Sequence, residues 1–255
     1  MRIFACFLCI LLMGCVERPV VRQIPGASMV SVAPSVSEAQ AEIPRLQCGK
    51  LSQADQLARS VVEERMKEGS YYAALAQVRL LPENVASVAL LRADILREID
   101  PVEAARWYGA LLDTCEAGHA RRGLGLLAAT LGDYREARRQ LQQAADEYPT
   151  EAAVRHHLGV VLMHLGQDEA ARFNLRTASE LAPADPQPRF SLMLLSLLRQ
   201  DVTEWRRLSA LWLPDSEQRQ RLAQSCQRTL VIRVAQGSSG VRATGRCPID
   251  PLAGV

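Results

Sequence analysis

Apolar residues in the middle of the chain recur at three- and four-residue steps. From about His119 onward, Leu124, Leu127 and Leu131 mark one buried face of a helix. Gly132-Asp133 then turns the chain, because glycine ends a helix readily and aspartate caps the next one. A second helix is predicted from about Tyr134 to Glu147, and Pro149 stops it. The whole pattern returns 34 residues later, pairing Leu124 with Leu158, Gly125 with Gly159, Gly132 with Gly166, Ala137 with Ala171, Ala144 with Ala178, and Pro149 with Pro183. Residues 118–151 and 152–185 therefore read as two copies of one helix–turn–helix unit. The small residues stand where neighbouring helices must approach closely.

The rhythm weakens on either side. A degenerate copy fits 85–117, with Leu91 and Ala104 at packing positions and Asp100-Pro101 at the turn. Leu51 to Leu81 reads as a shorter helix pair turning at Gly69-Ser70. Arg189 to Arg199 and Val202 to Leu213 continue the array without glycine, and Asp215 to Thr229 reads as a closing helix. The β-branched run Leu230 to Val234 reads as a short strand, and the end after Gly237 is expected to be mobile. Period and residue types together resemble the tetratricopeptide repeat (TPR). That resemblance implies an all-α, TPR-type α-solenoid of antiparallel helix pairs over 47–229, with a C-terminal capping helix and a weakly structured tail over 230–255. Terminal units are atypical in such arrays because each must close one end of the core.

The N-terminus is patterned differently. Met1-Arg2-Ile3 heads an apolar run that ends at Leu12-Met13-Gly14-Cys15, which is the layout of a signal peptide over 1–14 and too short to span a bilayer. The end of the run resembles the bacterial lipobox; the alternative is an ordinary secretory signal in which the cysteine is incidental. The resemblance implies that Cys15 becomes the new N-terminus and carries covalent lipid, the only attached group expected. Two or three acyl chains hold a protein on a membrane almost permanently. Val16 rather than aspartate follows, which by the lipoprotein sorting pattern implies the periplasmic face of the outer membrane. Residues 15–46, with Pro19, Pro25, Pro34 and Pro44, read as a flexible tether.

Composition narrows the function by exclusion. A net charge of +2 implies no strong field for nucleic acid. No P-loop, H-E-x-x-H or G-x-S-x-G occurs, and Gly123-Leu124-Gly125 lies inside a helix pattern rather than after a strand, so no catalytic residue is assigned. His119, His156, His157 and His164 lack a cysteine or carboxylate at ligand spacing, so no metal site is expected. Beyond the leader and Cys15 there remain Cys48, Cys115, Cys226 and Cys247, which allow three pairings in an oxidising compartment. Cys226 with Cys247 is favoured because it would tie down the tail; buried reduced thiols are the alternative.

In TPR proteins the first helix of each unit lines a concave groove. Carried over by position, this implies that His119, Arg122 and Leu126 of one unit, and His156, Val160, Met163 and His164 of the next, face a protein partner. Beyond Pro186 the corresponding residues, among them Phe190, Leu194, Leu197 and Leu198, are apolar, either as a peptide patch or, the favoured reading, as a surface covered by the closing helix. Lipobox, tether and TPR array together resemble the TadD-like lipoproteins of the tight-adherence (Flp) pilus system. Arg121-Arg122-Gly123-Leu124-Gly125-Leu126-Leu127 and Leu158-Gly159-Val160-Val161-Leu162 carry that likeness over about 85–200. It implies a non-enzymatic assembly factor or pilotin-like partner of a secretin or another pilus-assembly subunit. The alternative is a TPR lipoprotein that regulates a peptidoglycan synthase.

Overall fold

The computed structural model describes residues 42–212, 214–237 and Cys247. The leader, Cys15, the tether up to residue 41 and the end after Gly237, Cys247 excepted, lie outside the described residues. Eleven α-helices follow one another among them, and they are the predicted pairs. These are α1 (Gln53–Lys67) with α2 (Tyr71–Val78), α3 (Ala86–Ile99) with α4 (Pro101–Leu111), α5 (Ala117–Thr130) with α6 (Tyr134–Glu147), and α7 (Ala152–His164) with α8 (Asp168–Leu181). α9 (Pro186–Leu198), α10 (Val202–Trp212) and α11 (Ser216–Ala235) complete the array. The chain is an all-α TPR-type solenoid closed by C-terminal helices.

Local chemistry sets the boundaries. Asp100, Asp133 and Asp215 each accept a hydrogen bond from the backbone N–H three residues on, and Asp215 forms a full capping box with Gln218. Pro101 and Pro186 open their helices, where the missing N–H is no loss. The turns inside α5–α6 and α7–α8 share one closure. Gly132 (φ 81°) and Gly166 (φ 73°) adopt the left-handed conformation, and Asp133 N–H and Gln167 N–H reach back to the carbonyls of Ala128 and Leu162 at 2.9 Å each. One period further, Gln200 takes that conformation (φ 59°), with Asp201 N–H donating to Ser196 O at 3.0 Å. The turn survives without glycine, at the expense of a strained residue.

The core lies along the array in three clusters. Val62, Ala74, Val78, Leu91 and Ile95 join α1 to α3; Ala104, Trp107, Tyr108, Leu111 and Ala120 join α3 to α5; the largest cluster runs from Ala128 in α5 to Leu230 in α11. Gly159 allows α7 to lie against α8, since a Cβ there would stand 2.7 Å from Leu175 Cγ. The same distance separates a Cβ at Gly125 from Leu141 Cγ in the preceding unit.

Two expectations are corrected. Leu230–Val234 is no strand: it is the last part of α11, which continues through Ala235 because Leu230 and Arg233 are buried against the array. Packing has overridden β-branched propensity here. The last residues of the stretch read as tether are attached: Ile43 and Leu46 pack on the α3–α5 cluster. There, Gln47 N–H donates to Asn84 O and Gln47 O accepts from Ala86 N–H. The cysteines are paired as favoured from the sequence: Cys226 is bonded to Cys247, and Cys48 to Cys115, in the loop between α4 and α5.

Candidate partner-binding groove

α3, α5, α7 and α9 touch in series and form the inner row of the array. A recess of about 270 Å³ opens on this row, lined by Arg97 of α3, Leu126, Ala129 and Thr130 of α5, Tyr134 at the start of α6, and His157, Val160, Val161 and His164 of α7. Its composition is an apolar strip between polar walls.

The wall toward α3 is a network. Tyr108 Oη donates to Asp94 Oδ1 at 2.6 Å, and Arg122 approaches the other carboxylate oxygen at 4.0 Å. Burial and the neighbouring Asp94 carboxylate push the Tyr108 hydroxyl well above its usual range, so it stays protonated. Burial pushes the His157 imidazole down to about 3, helped by the positive charge of Arg122 and Arg97. Burial, then Arg233, pushes His164 down to about 4, and burial lowers His156. The α7 histidines are therefore neutral near pH 7. His157 Nδ1, His164 Nδ1, Arg97 Nε and Arg122 Nε are buried and find no hydrogen-bond partner among the described residues. The recess thus sets an apolar floor of Leu126 and Val160 beside the polar side chains of Arg97, Thr130 and His164, a combination that suits a polypeptide.

The residues read from the sequence separate into two groups. Leu126, Val160 and His164 line the recess, whereas Arg122 is turned to Asp94 of α3 at 4.0 Å. His156 points toward the next unit, with Nε2 3.0 Å from Ser191 Oγ of α9. His119 lies at the junction of two repeats, its ring nitrogens 2.8 Å from Glu116 and 3.0 Å from Glu151, stacked on Tyr148. Hydrogen bonds to these carboxylates, Glu116 first, raise its pKa to about 9, so it is a charged clasp between repeats. Met163 is a correction: it is 1% exposed, and its carbonyl accepts from Arg233 Nε at 2.8 Å. α11 folds back over this end of the inner row, where the Arg233 guanidinium also pairs with Asp168 and Gln236 reaches Gly132 O. Leu194, Leu197 and Leu198 are buried beneath this closure, so the apolar end of the row is covered by the chain itself.

Sequence reasoning missed Asp94, Arg97 and Tyr108. Arg97 is the thirteenth residue of 85–117, the place occupied by Thr130 and His164 in the clear repeats, so extending the register to the degenerate unit finds it. Asp94 and Tyr108 carry no such signal. Among the described residues no cluster of His, Cys, Asp and Glu is able to hold a metal ion, and no helix is long and apolar enough to cross a membrane.

Comparison with known proteins agrees with this architecture. The tetratricopeptide-repeat family model matches residues 128–198. TPR repeat-containing protein PA4299 of Pseudomonas aeruginosa is 39% identical over 165 residues, which is 65% of this chain and 67% of that protein. The chain belongs to the TPR family. Among solved structures, this TPR array resembles Pseudomonas aeruginosa pilF, with 16% identity, a TM-score of 0.55, and coverage of 72% of this chain and 89% of that one. It also resembles PilW, a widely conserved type IV pilus biogenesis factor, with 17% identity, a TM-score of 0.55, and coverage of 73% and 91%. At these identities the likeness is one of fold.

Proposed function

We propose that the protein is a non-enzymatic adaptor in pilus assembly that holds a segment of a protein partner in the recess between α3, α5 and α7. The observation that supports this reading is the recess itself, an apolar strip of Leu126, Val160 and Val161 walled by the polar side chains of Arg97, Thr130, His157 and His164. A helix or extended segment fits such a concavity. Fold likeness to pilF and to the pilus biogenesis factor PilW favours a pilus machine. Within that class, the lipobox-like Leu12-Met13-Gly14-Cys15 favours a lipoprotein of the tight-adherence branch, acylated at Cys15, on the periplasmic face of the outer membrane. Its partner is then a secretin or a pilus-assembly subunit.

The test is affinity capture from detergent-solubilised envelopes, run in parallel with the tagged protein and a Leu126→Ala/Val160→Ala variant. A secretin or pilus subunit recovered with the first and depleted with the second is expected. Recovery of a cell-wall synthase instead would move the function to envelope growth. Fractionation of Cys15→Ser checks the anchor, and a variant that stays in the membrane pellet overturns lipid attachment.

A further inference from the structure

Some arginines of the C-terminal half are neutralised. Arg172 and Arg199 pair with Glu169, Arg176 and Arg207 pair with Glu204, and Arg233 pairs with Asp168. Three are not. Arg189 and Arg221 have no ion pair or hydrogen bond among the described residues, and Arg228 reaches only Ser225 Oγ, at 3.3 Å. All three line one cleft of about 510 Å³ between α9, the end of α10 and the first half of α11. Its floor includes Phe190, Met193, Trp212 and Leu222, and no carboxylate lines it among the described residues. The nearest capping aspartates are already engaged, Asp185 by Gln187 N–H and Asp215 by Gln218 N–H.

The inner-row recess offers neutral imidazoles and partly paired guanidiniums, whereas this cleft offers uncompensated positive charge over aromatic surface. Guanidiniums around an apolar floor select a ligand that is anionic at its rim and apolar at its centre, because each part is complemented only when both are present. The volume suits a few residues of polypeptide. We propose that this cleft is a second binding site, taking an acidic segment of a protein partner that inserts one large apolar side chain against Phe190 and Trp212. It stands independently of the recess between α3, α5 and α7.

Trp212 is a built-in reporter, since Trp107 and Trp205 are each only 3% exposed and lie elsewhere in the core. The full chain is titrated with a short synthetic peptide alternating aspartate with leucine and phenylalanine, and with the same peptide carrying lysine for aspartate. The expected result is a saturable change in tryptophan emission with the acidic peptide only, weakened by salt. Binding followed by calorimetry is expected to fall about tenfold or more in Arg189→Glu/Arg221→Glu. Arg221→Ala/Arg228→Ala, both at exposed positions, is the second variant should the first fold poorly. Equal binding of both peptides, or binding unchanged in the variants, overturns the proposal. A response confined to phosphatidylglycerol vesicles assigns the cleft to a membrane surface and overturns it too. Binding of the acidic peptide only after loss of the Cys226–Cys247 bond, in Cys247→Ser, assigns the cleft to the chain's own C-terminal segment, with the same consequence.

Discussion

Gly159 offers a direct test of how the repeats are packed. Replacing it with alanine adds one methyl group to the middle of α7. In an unconstrained helix that change stabilises by about 0.5–1 kcal/mol, because glycine loses more backbone freedom on folding. Here the new Cβ would stand 2.7 Å from Leu175 Cγ, 2.8 Å from Leu175 Cδ2 and 3.2 Å from the Leu175 backbone nitrogen. Leu175 is fully buried, and a backbone atom cannot swing aside, so α7 and α8 must separate. Overpacking of this kind costs about 1–3 kcal/mol, which outweighs the helix gain and leaves a net loss of about 1 kcal/mol. For a domain of this size that is a fall in Tm of about 2–4 °C, and Gly159→Leu falls further. The decisive measurement is a double-mutant cycle by thermal and urea unfolding. Leu175→Ala alone costs about 2–5 kcal/mol, but it removes Cγ and Cδ2. In that background Gly159→Ala is expected to be neutral or stabilising, giving a coupling of about 1–2 kcal/mol. If Gly159→Ala raises Tm in the wild-type background and the two changes add, the close approach of α7 and α8 is wrong.

Three further outcomes follow from the same structure. His119 has a folded pKa of about 9 against 6.5 unfolded, so its contribution is fully present below pH 6.5 and is lost as pH rises through 9; His119→Gln should flatten that alkaline decline in a pH series of unfolding midpoints. Glu116 and Glu151 are lowered by their hydrogen bonds to His119, so their share is present above their unfolded pKa and is lost as pH falls through the lower folded value. Gln200→Gly should stabilise by about 1 kcal/mol, since glycine holds the left-handed conformation without a Cβ penalty; an unchanged Tm would count against strain at this turn. Arg233→Met strands Asp168 and the Met163 carbonyl and should cost about 3 kcal/mol, visible first as protease cleavage around α11. Global unfolding with no early release of α11 would refute its role as a latch.

The paired helices were legible because their determinants are local and repeated. Gly132 and Gly166 announce the turns, Ala137 and Ala171 the close contacts, and the spacing of Leu124 and Leu158 the buried face. Periodicity fades where a contact joins residues far apart in the chain. The fold-back of α11 depends on Arg233 meeting Asp168 and Met163, 65 and 70 residues away, and no window of sequence contains both sides. Leu230–Val234 was misread for that reason: its local preference is for a strand, whereas burial on the array decides for a helix. The groove was legible only in part. Register places Leu126, Val160 and His164 well, but it assigns Met163 to an open face that α11 closes. It gives His119 to a partner when Glu116 and Glu151 already hold it.

The Cys48–Cys115 bond also decides how the array carries mechanical load. A pull on the chain before Cys48 does not travel through α1 to α4 in sequence, because the bridge passes it straight to the loop ahead of α5. Helices α1 to α4 then lie within a closed loop, and whatever force passes the Gln47 bonds to Asn84 and Ala86 enters the solenoid at the loop ahead of α5. Reduction of that single bond would reroute the load through α1, where Val62 is the only fully buried side chain, and the N-terminal pair would be the first to peel away.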